Sequence, residues 1–322
     1  MAVLSLGHAA SVQSGVRLDP LRVTLLALCA VVFTAGSNAL NQYADVENDR
    51  VNKPHRPIPS GRISHRAALR FSIALLATAV ALAIVGVRQS RFSWSGLPLL
   101  ILLCALCLTV LYSCEPFRLR RWGIVSNAII AIGRGGLLSL FGWTAGGTMR
   151  GPDVWVIAAA FTAYIAGAAT IKDMSDEPGD RVAGCRSLVV LYGARRAMLI
   201  SAPFMFAGWL ALGIGGVLGL LRANRIAVAV LAGSLLALTA SMLLWGLGGT
   251  RAESVDVSRG AGEDAEPTAR KVERSDYNMS AYAHLRGSIP SQRIHENHPA
   301  WFLSYIVLII GFVGTAVCYA LR

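Results

Sequence analysis

Residues Asn38 to Gly61 read NALNQYADVENDRVNKPHRPIPSG and close an apolar run that begins near Leu21. Asn41, Asp45 and Asp49 stand four residues apart in this stretch. On a helix, four residues advance about 6 Å and slightly more than one turn. The three side chains therefore line one face at the end of a membrane-length segment. Two carboxylates this close to hydrocarbon repel each other and are costly to desolvate. A hard divalent cation removes both difficulties, and Mg²⁺ is usually held by one or two carboxylates together with substrate phosphates. For this cluster alone, the competing reading is a solvated helix end with ordinary surface acids.

Working outward, eight apolar segments have the length of membrane spans, at roughly 21–44, 66–87, 96–113, 124–147, 153–171, 195–221, 226–249 and 300–320. They are spread along all 322 residues, of which 54% are hydrophobic and 15% charged. The expectation is one all-α, multi-pass membrane domain over residues 1–322 rather than a soluble enzyme. A net charge of +12 does not point to nucleic acid here, because the basic residues sit in short loops between apolar segments. Loops 49–70, 113–122, 172–196 and 251–299 hold six, three, five and seven of the 30 Lys and Arg residues. The positive-inside rule puts these loops in the cytoplasm, and with them Asp45 and Asp49, in a protein of the plasma membrane. Met1 to Gly15 lacks the basic start and long apolar core of a secretory signal. The six cysteines form no disulfide framework, and Cys104 and Cys107 spell C-x-x-C within an apolar run without a redox context.

The first cytoplasmic loop also carries Arg50, Lys53, His55, Arg56 and Arg62, stiffened by Pro54 and Pro57. A rigid basic loop beside two carboxylates suits a phosphate ester bridged by metal. The third span ends in Tyr112-Ser113-Cys114-Glu115-Pro116, followed by Arg118, Arg120 and Arg121. Tyr112 is placed as an interfacial anchor or as a donor to phosphate. The fourth span contains Gly133-Arg134-Gly135-Gly136. A charge ten positions into a span should face the bundle interior and find a partner there, the plainest being a buried ion pair. The fifth span runs into Lys172-Asp173-Met174-Ser175-Asp176-Glu177-Pro178-Gly179-Asp180-Arg181. Asp173 and Asp176 lie one turn apart, and Pro178-Gly179 is expected to break the helix and present Asp180 from a turn. Asp45 and Asp180 stand at loop ends, so no packed core is expected to depend on them. Two acidic clusters from different spans, on one side and flanked by cations, suit a two-metal diphosphate site.

N-x3-D-x3-D followed by NKPHRPIPSG, with the later KDxxDxxGD, resembles the UbiA family of intramembrane prenyltransferases over about residues 21–221. The resemblance implies a helical bundle around a lipid-accessible cavity. It implies Mg²⁺-dependent transfer of an isoprenyl group from its diphosphate to an aromatic, quinone-precursor-like or lipid-like acceptor. By position, Asn41, Asp45 and Asp49 would hold one metal, and Asp176 and Asp180, with Asp173, the other. Asp45, Asp49, Asp176 and Asp180 would be the catalytic acids. Arg56, Tyr112, Lys172 and Arg186 fall where such enzymes contact diphosphate; Arg50, Lys53, Arg118 and Arg134 complete the candidate substrate-binding set. The DRVNKPHRPIPSGRIS segment most resembles members acting on isoprenoid glycerolipids, chlorophyllides and homogentisate-type aromatics. The alternatives are a terpene cyclase of the same family, which ionises the diphosphate without an acceptor, and an ion-coupled transporter. A transporter would favour mid-membrane charges and inverted repeats, whereas both acidic clusters sit at one face here.

Two departures from the family pattern stand out. Members usually have nine spans, and Met1 to Gly15, ahead of the first span here, is too short to cross. Either the true start lies upstream or this member lacks that helix and part of one cavity wall. The second departure is the polar segment 251–299, expected to be a partly disordered cytoplasmic loop. Within it, Tyr277 to Trp301 suits a membrane surface, and His295 and His298 are spaced like half of a metal site.

Overall fold

Apolar segments that must satisfy their own backbone in a bilayer can only be helices or closed barrels, and this chain uses helices. The computed structural model describes residues 1–88, 96–260 and 299–322, with 248–260 described by backbone alone. The helices are α1 (Ala2–Ser14), α2 (Pro20–Ala44), α3 (Val46–Asn52), α4 (His65–Arg88), α5 (Leu97–Ser113), α6 (Gly123–Ala131), α7 (Leu138–Trp143), α8 (Pro152–Val182), α9 (Leu188–Tyr192), α10 (Ala194–Val217), α11 (Arg225–Gly260) and α12 (Pro299–Ala320). A single π-helical turn, Ile132–Leu137, joins α6 to α7. Among the described residues there is no strand, and one isolated parallel bridge pairs Trp122 with Arg186.

Among the described residues, seven helical segments are long and apolar enough to cross a membrane, and the chain is a multi-pass membrane protein. The third expected span, 96–113, is present as the shorter apolar helix α5. Local chemistry sets the ends. Asp19 caps α2 by accepting from the N–H groups of Leu21 at 3.0 Å and Arg22 at 3.3 Å, with Pro20 in the first turn. Gly15 closes α1 in the left-handed conformation, with φ 69°. Two segments outside the expected spans are helical. Residues before Gly15 form a helix whose Leu6, Ala9 and Ala10 are buried, packed against α7 and α12. The polar segment expected to start at 251 begins as helix, since α11 continues to Gly260. The surface segment 277–301 up to residue 298, and His295 and His298, lie outside the described residues.

Bundle packing follows membrane rules, with small residues at contacts and large apolar ones facing out. Leu28, Phe71, Ile124, Phe204, Ile226 and Leu244 are exposed. Inside, Phe161 of α8 stacks on Phe312 of α12 at 4.1 Å between ring centroids and meets Trp209 of α10 edge-on at 5.5 Å. The Trp209 indole N–H donates to Thr239 at 3.0 Å, and the Tyr164 hydroxyl to the Ser304 carbonyl at 2.9 Å, so these two buried polar groups are paired. Gly135 lets the π turn lie on α8: a Cβ there would stand 2.6 Å from the Phe161 carbonyl oxygen. This contact fixes α8 beside α6 and α7, while α2 packs along α4 and touches α5. The polar ends of α2 and α8 thereby meet at one end of the bundle.

Candidate active site

The first cluster keeps its helical register through a change of axis. The N–H of Asp45 donates to the Asn41 carbonyl at 2.9 Å, that of Asp49 to Asp45 at 2.8 Å, and that of Lys53 to Asp49 at 2.8 Å. Asp45 itself leaves helical geometry, with φ −101° and ψ 12°, and separates α2 from α3. Asn41, Asp45 and Asp49 therefore succeed one another turn by turn, as their spacing predicts.

The second cluster departs from expectation. Pro178-Gly179 does not break the helix, and α8 runs on to Val182 with Pro178 inside it. Proline removes one N–H and crowds the carbonyl a turn earlier. Asn52 repairs the damage from α3: its Oδ1 accepts from the Gly179 N–H at 2.7 Å, and its Nδ2 donates to the Asp176 carbonyl at 2.9 Å. Gly179 is required at this junction, since a Cβ there would lie 2.5 Å from the Asn52 amide nitrogen. Asp176 and Asp180 consequently stay one helical turn apart on one face.

Cations join the two clusters. Arg120, whose side chain is 8% exposed, pairs with Asp45 of α2 and reaches Asp180 of α8 at 3.1 Å. Lys53 pairs with Asp176, Lys172 approaches the other Asp176 oxygen at 3.5 Å, and Arg56 holds Asp49 at 2.8 Å. Asn48 donates to Asp180 at 2.9 Å. Asp45, Asp49, Asp176 and Asp180 are all buried. The expectation that no core depends on Asp45 and Asp180 is thus corrected: they hold a desolvated network together. Burial by itself would lower the Arg120 pKa, but Asp45, Tyr112 and Asp180 hold it well above the ordinary value. Burial pushes the Asp49 carboxyl above its usual range, with Arg56 pulling the other way.

The donor set suits a hard cation. At this site, among the described residues, the buried oxygens Asn41 Oδ1, Asp45 Oδ1 and Asn48 Oδ1 have no hydrogen-bond partner, although the Arg118 guanidinium stands 3.6 Å from Asp45 Oδ1. Leaving such groups unsatisfied costs about 1–3 kcal/mol each, more for a charge. Among the described residues no three acidic, His or Cys side chains converge on one point. Mg²⁺ does not need that, because one or two carboxylates with substrate phosphates complete its shell.

Other sequence-predicted residues divide by place. Tyr112, Arg134 and Lys172 line a cavity of about 280 Å³ that begins at Asn38 and Asn41 and continues between Phe33, Ile101, Leu102 and Phe141. Arg118 donates to the Ala44 carbonyl at 3.0 Å and lies 3.6 Å from Asp45. Asp173 is half-buried one turn before Asp176 and makes no ion pair among the described residues. Arg50 turns outward onto Glu47 at 2.8 Å, and Arg186 is exposed, its backbone carbonyl accepting from Gly123. Sequence reasoning left Arg120, Asn48 and Asn52 out of the site. Asn48 and Asn52 repeat the four-residue spacing of the acids, which was the available signal.

A family model described as the UbiA prenyltransferase family matches residues 2–254. The digeranylgeranylglyceryl phosphate synthase of Methanopyrus kandleri is 34% identical over 194 residues, covering 60% of this chain and 66% of that one. That of Halobacterium salinarum is 38% identical over 173 residues, covering 53% and 57%. The chain thus spans less than two thirds of the length of these curated relatives. A UbiA homologue from Archaeoglobus fulgidus, solved with DMAPP and Mg²⁺, shares the fold with a TM-score of 0.60 at 19% identity, over 98% of this chain and 93% of that one.

The splice at Asn52 makes a direct prediction. Asn52→Ala removes the two hydrogen bonds that tie α3 to the Gly179 N–H and the Asp176 carbonyl and should destabilise the protein by about 1–3 kcal/mol, read as a lower Tm in detergent. An unchanged Tm would mean that α8 carries Pro178 without help.

Proposed function

This chain belongs to the UbiA prenyltransferase family, and on that premise we propose that it transfers an isoprenyl group from a prenyl diphosphate to an aromatic or lipid-like acceptor, releasing diphosphate. One observation carries the reading: acids from α2–α3 and α8 meet through Arg120, and Asn41, one turn before Asp45, and Lys172, beside Asp176, line an apolar cavity. The relatives named for digeranylgeranylglyceryl phosphate support a lipid-like acceptor. Asn41, Asp45 and Asp49 on one side, and Asp176 and Asp180 on the other, would hold Mg²⁺, which when bound offsets the charge of the leaving diphosphate.

The chain's own residues do the rest. Arg120, Lys53, Lys172 and Arg56 already stand among the carboxylates and are the cations available to diphosphate oxygens. The bond between the prenyl C1 and the bridging oxygen breaks, and the electron pair leaves with diphosphate. The allylic carbon bonds to a carbon or oxygen of the acceptor, which loses a proton. Phe33, Ile101, Leu102 and Phe141 keep water from the allylic cation and accommodate the isoprenyl tail. The site faces the cytoplasm of the plasma membrane in this reading, supported by the basic residues of loops 49–70, 113–122 and 172–196.

Asp45→Asn and Asp180→Asn keep the size of the buried side chains and leave Arg120 one carboxylate partner, so each should give folded protein with a lowered Tm. Each should lower acceptor-dependent diphosphate release by at least about a hundredfold, because charge on the leaving group is greatest in the transition state. EDTA should abolish release and Mg²⁺ restore it. Wild-type turnover in either variant contradicts the site, and equal release without acceptor favours a cyclase.

For the orientation, Ser60 is exposed in the loop after α3. In sealed right-side-out vesicles, Ser60→Cys should resist a membrane-impermeant thiol reagent until the membrane is opened. Labelling in the sealed vesicles would reverse the topology.

A further inference from the structure

Arg134 is a charge inside a span, on the π turn Ile132–Leu137. An arginine at such depth costs about 2.5–3.5 kcal/mol by insertion scales, so its partners decide its role. They are not the ion pair that the sequence suggests. Nη1 donates to the Tyr305 hydroxyl at 2.7 Å and Nη2 to Asn38 Oδ1 at 3.0 Å. Both partners are neutral. A guanidinium has five N–H donors in a planar fork, and among the described residues no carboxylate pairs with this one. Arg134 lines the cavity, and the wall beside it is bare: a Cβ on Gly133 would meet nothing within 4 Å. Single π turns of this kind recur at functional sites.

The depth separates Arg134 from the diphosphate. Asn38 lies about one helical turn from Asn41, the nearest proposed metal ligand, and seven residues, about 10 Å along α2, from Asp45. Arg120 and Lys172 stand at the level of the acids, whereas Arg134 stands at the level of Asn38. A prenyl diphosphate with its phosphates among the acids leaves Arg134 for a second anion. We propose, resting on the transferase reading above, that Arg134 is the receptor for an acidic headgroup on the acceptor, with Tyr305 and Asn38 orienting its fork. The shared chemistry is an oxyanion on the acceptor, either the carboxylate of an aromatic acid or the phosphate of a glycerolipid. Holding that group in the cavity positions the acceptor's nucleophile between Arg134 and the acids.

The test is equilibrium binding to the full-length protein in detergent with Mg²⁺ and an unreactive prenyl thiolodiphosphate. Two matched pairs are used: 2,5-dihydroxyphenylacetate against its methyl ester, and a prenylglyceryl phosphate against the same prenylglycerol. In wild type the anionic member of one pair should bind at least about tenfold more tightly than its neutral partner, the range of a charge-assisted hydrogen bond. The preferred pair identifies the source of the anion. Arg134→Gln should erase the preference, Arg134→Lys should restore part of it, and neither should change the affinity for the thiolodiphosphate. The proposal is overturned if no anion is preferred, if the preference survives Arg134→Gln, or if Arg134→Gln weakens the thiolodiphosphate equally. A wild type that binds no thiolodiphosphate overturns the transferase reading itself.

Discussion

The guanidinium of Arg120 is the contact through which two distant helices share one polar site. It reaches Asp45, where α2 gives way to α3, and Asp180 near the end of α8. Each of these carboxylates is buried, so neither could remain charged at the head of an apolar bundle without a partner. Removing one member of such a network is expensive, about 3–5 kcal/mol, because the other charge is left uncompensated. The same network is poised for exchange. Lys53, Lys172, Arg56 and Arg120 offset the acids; in the proposed reaction the acids would hold Mg²⁺ and these side chains would turn to the diphosphate. Swapping partners within a closed set keeps every buried charge matched.

Below this network the chain is organised by what a bilayer allows. Many large apolar side chains face outward, and the contacts between helices combine small residues and paired polar groups with the aromatic core around Phe161 and Trp209. Gly135 permits the close approach that sets α8 beside the π turn, and the π turn in turn carries Arg134 into the cavity. The cavity therefore carries charge at two places, Lys172 beside the acid network and Arg134 beside Asn38, with apolar walls beyond. A reaction that generates an allylic cation requires this layout: charge where the leaving group departs, and hydrocarbon where the cation must survive.

Much of this was legible in the sequence because it is local. Apolar runs of membrane length gave the helices, and the four-residue spacing of Asn41, Asp45 and Asp49 survives even where the helix changes direction. What failed to show depends on contacts between distant residues. Pro178-Gly179 is a sound local stop signal, overridden by the Asn52 side chain arriving from α3. Arg118, Arg120 and Arg121 look alike as text. A left-handed Arg118, φ 36°, followed by a tight 3-10 turn sends Arg120 inward while Arg121 pairs with Glu115 at 2.8 Å near the surface. Arg50 and Arg56 are likewise indistinguishable until α3 directs one onto Glu47 and the loop folds the other back onto Asp49.

The central claim is that the acids of α2–α3 and α8 form one metal-diphosphate site from which Arg120 is released to the substrate. The most direct measurement is a structure determined with Mn²⁺ in place of Mg²⁺ and a prenyl thiolodiphosphate, with the metal located by anomalous scattering. The account predicts metal at oxygen-ligand distance, about 2.0–2.3 Å, from Asn41 or Asp45 and from Asp176 or Asp180. It also predicts that the Arg120 guanidinium has moved from at least one carboxylate to a diphosphate oxygen. Metal bound away from both clusters, or an Arg120 still bridging Asp45 and Asp180 beside a bound diphosphate, would contradict it.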